Sequence, residues 1–415
     1  MALSIQQSRI KKSLEEIAAF HEENSLYTRR AFTGAYQEAR NWLKDEMMEN
    51  GLSVHIDDAG NLIGKRDGQF ADLPSIVTGS HIDTVANGGR YDGIVGVLAA
   101  LEVIRSLNDA NMVLNHPLEI VDFLAEEANE FGISTTGSKG IVGRLTPSML
   151  ELEDALGRKL HDCISLMGGH PEKLDRPLRN PGEIKAFIEL HIEQGPILEN
   201  NNVDIGVVTG IVGIHRCKVY VEGFQGHAGT VPMDNRQDAL VTASKIVLEI
   251  QRIVKQYNET EGPLVGTVGT FEVSPNQPNV IPGEVTLSFE LRSIREEQLY
   301  QLENLIVGEI HRIAEQDGCK VKVEQLSKQK PVLSDTNVIE LIEKSAQASG
   351  LTTLRIPSGA GHDTSHVAAI APAGMIFIPC YKGISHHPDE FTSIEQIVNG
   401  ATVLAETILA VDHLN

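Results

Sequence analysis

The run Ser75-Ile76-Val77-Thr78 reads as a buried strand, and it leads directly into Gly79-Ser80-His81-Ile82-Asp83-Thr84. A Gly-rich stretch, Gly88-Gly89-Arg90-Tyr91-Asp92-Gly93, follows. It opens onto Val95 to Ile104, whose apolar periodicity predicts a helix. A histidine and two carboxylates therefore stand at a strand end and in the loop after it. In open α/β sheets, sites form at the carboxyl ends of strands. His81 and Asp92 are both metal-ligand types, and glycine makes the loop between them bendable. The stretch is expected to hold one end of a metal centre that other parts of the chain complete.

The pattern around it is α/β. Residues 4–20 and 33–50 carry helical periodicity, Ser53 to Ile56 and Leu62-Ile63-Gly64 read as strands, and Pro117 to Leu124 as another. Residues 145–180 are mixed, and Phe187 to Gly195 begins as a strand and ends in polar residues. After about Thr209 the order becomes strand (Cys217 to Val221), helix (Asp234 to Tyr257), strand (Val265 to Phe271), strand (Val285 to Leu291), helix (Glu296 to Gln316), strand (Val321 to Leu326). That order fits a split βαβ, ferredoxin-like domain. From Asp335 the α/β pattern resumes, with a helix to about Ser349, a strand at Met375 to Pro379 and a closing helix from Ser393. With 415 residues the chain is long enough for two domains. The expected division is a discontinuous α/β domain, 1–209 and 329–415, with a second domain, 210–328, inserted in it.

Composition narrows the partners. A net charge of −22 argues against a nucleic-acid backbone or an anionic membrane surface. It also means that an anionic substrate needs a local positive site. No apolar run approaches the roughly 20 residues of a membrane span. Met1 to Lys12 is polar and lacks the apolar core of a signal peptide. Cys163, Cys217, Cys319 and Cys380 are scattered without a CxxC pair, so they read as reduced thiols of a cytoplasmic protein.

Polar residues follow the proposed strands repeatedly: His81, Asp83, Asp92, Glu126, Glu127, His191, Glu193 and His386. Singly, each has an ordinary role. A lone histidine is more often a hydrogen-bonded core or surface residue than a ligand, and a pair such as Glu126-Glu127 is usually a solvated helix start. Recurrence at several strand ends is what favours a site. Imidazole and carboxylate together suit Zn²⁺, or Mn²⁺, Co²⁺ and Ni²⁺, better than Mg²⁺ or Ca²⁺. Without cysteine such a centre is expected to be hydrolytic and partly open.

These residues also carry a resemblance. The blocks Gly79 to Thr84, Gly88-Gly89-x-x-Asp92-Gly93, Glu126-Glu127, Glu189-Leu190-His191-Ile192-Glu193-Gln194-Gly195-Pro196, Gly226-His227-Ala228-Gly229-Thr230-x-Pro232-Met233, Arg236-x-Asp238-Ala239, Asn279-Val280-Ile281-Pro282-Gly283 and Ser385-His386-His387-Pro388-x-Glu390 stand in order. In this the chain resembles the hydantoinase/carbamoylase family of metal-dependent amidases, a branch of the M20 peptidase clan, over nearly its whole length.

The resemblance implies a catalytic α/β domain with a ferredoxin-like lid and dimerisation domain, and two divalent ions per subunit. His81 and His191 would hold one ion, Glu127 and His386 the other, with Asp92 bridging. Asp83 would orient His81, and Glu126 would be the general base. His227, reaching over from a partner subunit, would stabilise the oxyanion, with Asn279 assisting. Arg292 would clamp the substrate carboxylate, although its ordinary role at a strand end is a surface salt bridge. The ordinary role of His227 is that of a histidine in a Gly-rich loop. Gln194, Gly359 and His362 match further substrate-side positions, while Arg216 and Lys382 stay unassigned.

The implied activity is hydrolysis of the carbamoyl (ureido) C–N bond of a small carboxylate by a homodimer. An N-carbamoyl-L-amino acid is the first choice of substrate, and allantoate or a ureidopropionate comes after it. An M20 acylase or dipeptidase, or a non-catalytic metal-binding protein, are the rivals. Two departures bear on substrate identity. Ala128-Asn129-Glu130-Phe131 stands where many members have Gly-x-Arg-Phe, and Thr364 stands where Ala is common.

Overall fold

The computed structural model describes residues 3–414; Met1, Ala2 and Asn415, the ends of the expected first domain, lie outside the described residues. The chain divides into two compact units, Met1–Thr209 with Ser334–Asn415, and Gly210–Leu333. The second unit closes at Leu333, past the expected 328.

The first unit is built on a mixed sheet. Its centre is four adjacent parallel strands in the order Leu118–Asp122, Ser75–Ser80, Ile184–Ile192, Ala373–Ile378. Antiparallel strands flank them: Leu62–Arg66 and Ser53–Ile56 on one side, Ile205–Ile211 on the other. The central strands are buried on both faces, which is why their sequences are apolar runs rather than alternations. Helix Ile94–Asp109 connects the first two in sequence and packs against Ile394–Asp412. Its buried Val97, Leu101 and Ile104 each contribute about 1.5–3 kcal/mol of burial.

Helix Ile394–Asp412 closes the first unit. It has 19 residues at a mean hydropathy of 1.3, long and apolar enough to cross a membrane by length and composition. Half of it is buried in the protein, through Ile397, Ala401, Leu404 and Ile408, so it is a core helix here. Its start is fixed by a capping box, Ser393 with Gln396.

The second unit is a four-stranded antiparallel sheet in the order Lys320–Gln329, Gly213–Glu222, Glu284–Ser293, Val265–Ser274. Counted along the chain these strands run fourth, first, third, second, the ferredoxin-like arrangement. Odd positions of the inner strands, such as Cys217, Val219, Leu287 and Phe289, are buried with the inner faces of helices Ala239–Glu261 and Glu296–Asp317. The first of these helices starts later than the expected Asp234, because the Asp238 side chain caps the N–H groups of Leu240 and Val241.

Candidate metal centre

The four parallel strands deliver their polar residues to one end of the sheet. His81 follows Ser75–Ser80, and His191 is the penultimate residue of Ile184–Ile192. Glu126 and Glu127 lie just past Leu118–Asp122, and His386 lies past Ala373–Ile378. Asp92 sits in the loop before helix Ile94–Asp109. Its two oxygens face different groups. Oδ1 is 3.0 Å from His191 Nε2 and 3.7 Å from His81 Nε2. Oδ2 is 3.3 Å from His386 Nε2, which is itself 3.3 Å from Glu127 Oε1. The structure thus places His81, Asp92 and His191 in one cluster and Asp92, Glu127 and His386 in a second. All are buried except His386, whose side chain is 48% exposed.

The donor set fits divalent cations. Two ligands at tetrahedral angles about one zinc ion stand roughly 3.4 Å apart, close to the spacings found. Nδ1 of His81 faces the Asp83 carbonyl at 3.0 Å, and Nδ1 of His191 faces the Ile192 carbonyl at 2.8 Å. Each Nδ1–H donates there, which leaves Nε2 as the lone-pair nitrogen aimed at Asp92. The Gly93 N–H donates to His191 Nε2 at 3.1 Å, and an ion bound at that nitrogen would replace this bond. Gly93, at φ 69°, is needed for the approach, since a Cβ there would come within 2.3 Å of the His81 ring.

Glu126 and Glu127 are not a solvated helix start. They lie in a buried turn after Ala125, which takes φ 50°, and Asp83 holds both in place. Its Oδ1 accepts the Glu126 N–H at 3.2 Å and its Oδ2 the Glu127 N–H at 3.1 Å. Asp83 therefore reaches His81 chiefly through its carbonyl and positions the acids with its carboxylate.

The electrostatics are those of a site built for positive charge. Burial pushes the Glu126 carboxyl well above its usual range; His81 opposes this, while Asp363 and Glu127 add to it. Burial, then Asp92, pushes Glu127 up to about 7. Burial pulls His81 down, but Glu126, Asp83 and Glu127 together hold it well above its ordinary value. His386 is raised to about 9, first by its hydrogen bond to Asp92 and then, against burial, by Glu127. Clustered buried carboxylates need cations or protons to be tolerated.

The other expected residues lie in both units. Gln194, at φ 56°, donates Nε2 to Asp92 Oδ2 at 2.6 Å, and its buried Oε1 has no hydrogen-bond partner among the described residues. His362 packs edge-to-face on His191 with centroids 4.6 Å apart and contacts Ser358 Oγ at 2.9 Å; burial, then His191, keeps it neutral. A Cβ at Gly359 would meet open space. The second unit carries His227, Asn279 and Arg292. His227 lies on a two-residue strand, Gly226–His227, paired with Val280, and not in an unpaired loop. Asn279 accepts the Ala228 N–H through its carbonyl. Arg292 pairs with Glu290 at 2.8 Å, and Arg216 with the same carboxylate at 2.6 Å.

Three further residues have clear partners. Glu193 joins no metal cluster, because its carboxylate caps the N–H groups of Ile197 and Leu198. The Thr364 hydroxyl donates to buried Glu189 at 2.5 Å. Glu130, which stands in place of an arginine, pairs with Arg30 at 2.5 Å. Of the unassigned cations, Lys382 lies over the Tyr381 ring. Residues that the sequence reading missed frame the site. Arg29, fully buried, donates to the Ile82 carbonyl, and Asp122 accepts the Ile82 N–H while paired with Arg40. Only Glu390 among the missed residues had a signal, since it closes a block already quoted.

Comparison with known proteins gives the family of the chain. Residues 77–410 match Peptidase family M20/M25/M40. A relative from Paenarthrobacter aurescens named N-carbamoyl-L-amino-acid amidohydrolase is 38% identical over 409 residues, covering 98% of each chain. One from Arabidopsis thaliana named ureidoglycolate hydrolase is 37% identical, covering 98% of this chain and 87% of its own. The crystal structure of a hydantoinase/carbamoylase family amidase from Burkholderia multivorans superposes with a TM-score of 0.91 at 35% identity, over 99% of this chain and 98% of that one.

Proposed function

Because the chain belongs to peptidase family M20/M25/M40, in its hydantoinase/carbamoylase branch, and is a hydrolase of C–N bonds, we propose that it cleaves the carbamoyl group of N-carbamoyl-L-amino acids. One water is consumed, and the products are an amino acid, ammonia and carbon dioxide. The observation that carries this reading is the shared carboxylate: Asp92 offers one oxygen to His81 and His191 and the other to His386.

In this reading His81, His191 and Asp92 hold one divalent ion, and Asp92, Glu127 and His386 hold a second, zinc or manganese, with cobalt or nickel as substitutes. Such ions lower the pKa of water and polarise a carbonyl oxygen. Glu126 is the base. Its Oε2 lies 3.6 Å from His81 Nε2, and it lies outside both ligand clusters. It takes the proton of the attacking water and returns it to the leaving nitrogen. Asp83 keeps the base aimed by fixing its backbone. His227, donated by the partner subunit of a homodimer, and Asn279 stabilise the oxyanion. Arg292 exchanges Glu290 for the substrate carboxylate, a bidentate exchange that guanidinium geometry favours. The second unit acts as lid and dimerisation domain. The four cysteines, all free and buried, suit a reducing cytoplasmic setting.

A second reading has a specific observation behind it. The relative named ureidoglycolate hydrolase is almost as similar as the one named for carbamoyl amino acids, so a ureido acid is the alternative substrate. A panel of N-carbamoyl-L-amino acids, ureidoglycolate, allantoate and ureidopropionate, assayed for ammonia with Zn²⁺, Mn²⁺ or Co²⁺, decides between them. Cleavage of N-acyl amino acids or dipeptides alone would instead favour an acylase or dipeptidase.

A further inference from the structure

Glu390 lies beside the ligand clusters without belonging to either. It is buried, 3% exposed, and bonded on every side to the segments that carry the ligands. Its Oε1 accepts the N–H of Tyr91 at 2.9 Å and the N–H of Asp92 at 3.0 Å, the latter across 298 residues of sequence. Its Oε2 lies 2.8 Å from Ser385 Oγ. That same hydroxyl is 2.7 Å from Asp92 Oδ2, the oxygen that faces His386. Tyr91 and Phe391 add an apolar brace, their rings edge to face at 6.0 Å. Room for the carboxylate depends on Gly89, because a Cβ there would stand 2.1 Å from Glu390 Oε1.

We propose that Glu390 is a positioning residue that locks the Asp92 loop to the His386 turn, so that the shared carboxylate and the exposed histidine ligand meet at one subsite. His386 needs such help. It is half exposed, sits at φ 55°, a left-handed conformation uncommon without glycine, and lies outside any regular element. Residues that fix metal ligands in this way govern ion affinity although they touch no ion. The inference rests on the two-ion reading above, because the locked pair is what would hold the second ion.

The test uses full-length chain stripped of metal and titrated with Zn²⁺ against a chromophoric chelator, alongside steady-state kinetics of the reloaded enzyme. Glu390→Ala should weaken the second ion by about 10–100-fold and lower kcat with little change in KM. Glu390→Gln should recover most of both, since an amide oxygen still accepts the two N–H groups and the amide nitrogen still reaches Ser385. Gly89→Ala should behave like Glu390→Ala by displacing the carboxylate, and it decides the matter if Glu390→Ala does not fold. Wild-type affinity and kcat in the alanine variants would overturn the inference. Equal losses in Gln and Ala would do so too, because charge and not the hydrogen-bond frame would then be what counts. If the wild-type chain takes up no divalent ion, the functional reading fails first and the inference with it.

Discussion

Glu126 Oε2 lies 3.6 Å from His81 Nε2, with both side chains buried. In the proposed mechanism this carboxylate, close to His81 and outside both clusters, handles the proton of the attacking water. Replacing Glu126 with Gln keeps shape and removes the base. It should lower kcat by about 10²–10⁴-fold with metal content unchanged, as read by elemental analysis of the purified variant. Retained turnover would show that another group is the base.

Metal uptake should depend on pH in a defined direction. The hydrogen bond to Asp92 raises His386 to about 9, and burial pushes Glu127 up to about 7. A ligand must shed its proton before it binds an ion. Below about pH 7 both groups carry protons, and raising the pH through 7 and then 9 removes them. Affinity at this subsite should therefore rise with pH up to about 9, and binding near neutrality should release protons. Calorimetry in buffers of different ionisation enthalpy counts those protons; affinity that fell with rising pH would contradict the assignment.

If each site draws His227 from the partner subunit, inactive variants should complement. His227→Ala and Arg292→Ala should each lose most activity while keeping their metal. Mixing the two after dissociation should restore a fraction of wild-type turnover, because some hybrid sites then hold both intact residues. Mixtures no more active than the parents would argue for sites made within one chain.

Stability in the first unit should hinge on a buried ion pair beneath the centre. Arg40 Nε donates to Asp122 at 2.9 Å, with the two side chains 6% and 0% exposed. Arg40→Met strands Asp122 without its partner and should cost about 3–5 kcal/mol, measured by urea unfolding. Adding Asp122→Leu should recover much of it; a loss under about 1 kcal/mol in the single variant would mean that water reaches the pair.

Much of this was legible in the sequence where a signal is periodic or chemically rare. Central strands such as Ser75–Ser80 announce themselves as apolar runs, and the ferredoxin-like unit follows from its order of elements. Histidines and acids at strand ends mark the centre. What the sequence hides are bonds to backbone groups, which any residue supplies. Asp83 reads as a partner for a histidine, and its carboxylate, 3.4 Å from His81, also accepts the N–H groups of Glu126 and Glu127. Glu193 has the look of a ligand and serves as a helix cap. Glu390 accepts the Asp92 N–H across 298 residues, a bond that the local block Ser385 to Glu390 does not announce.

The most direct test of the account is ammonia release by the zinc- or manganese-loaded enzyme from N-carbamoyl-L-amino acids, run beside Glu126→Gln. The account predicts ammonia and free amino acid in equal amounts from the wild type and almost none from the variant. Cleavage of N-acyl amino acids or dipeptides, with no ammonia from any carbamoyl or ureido substrate, would contradict it.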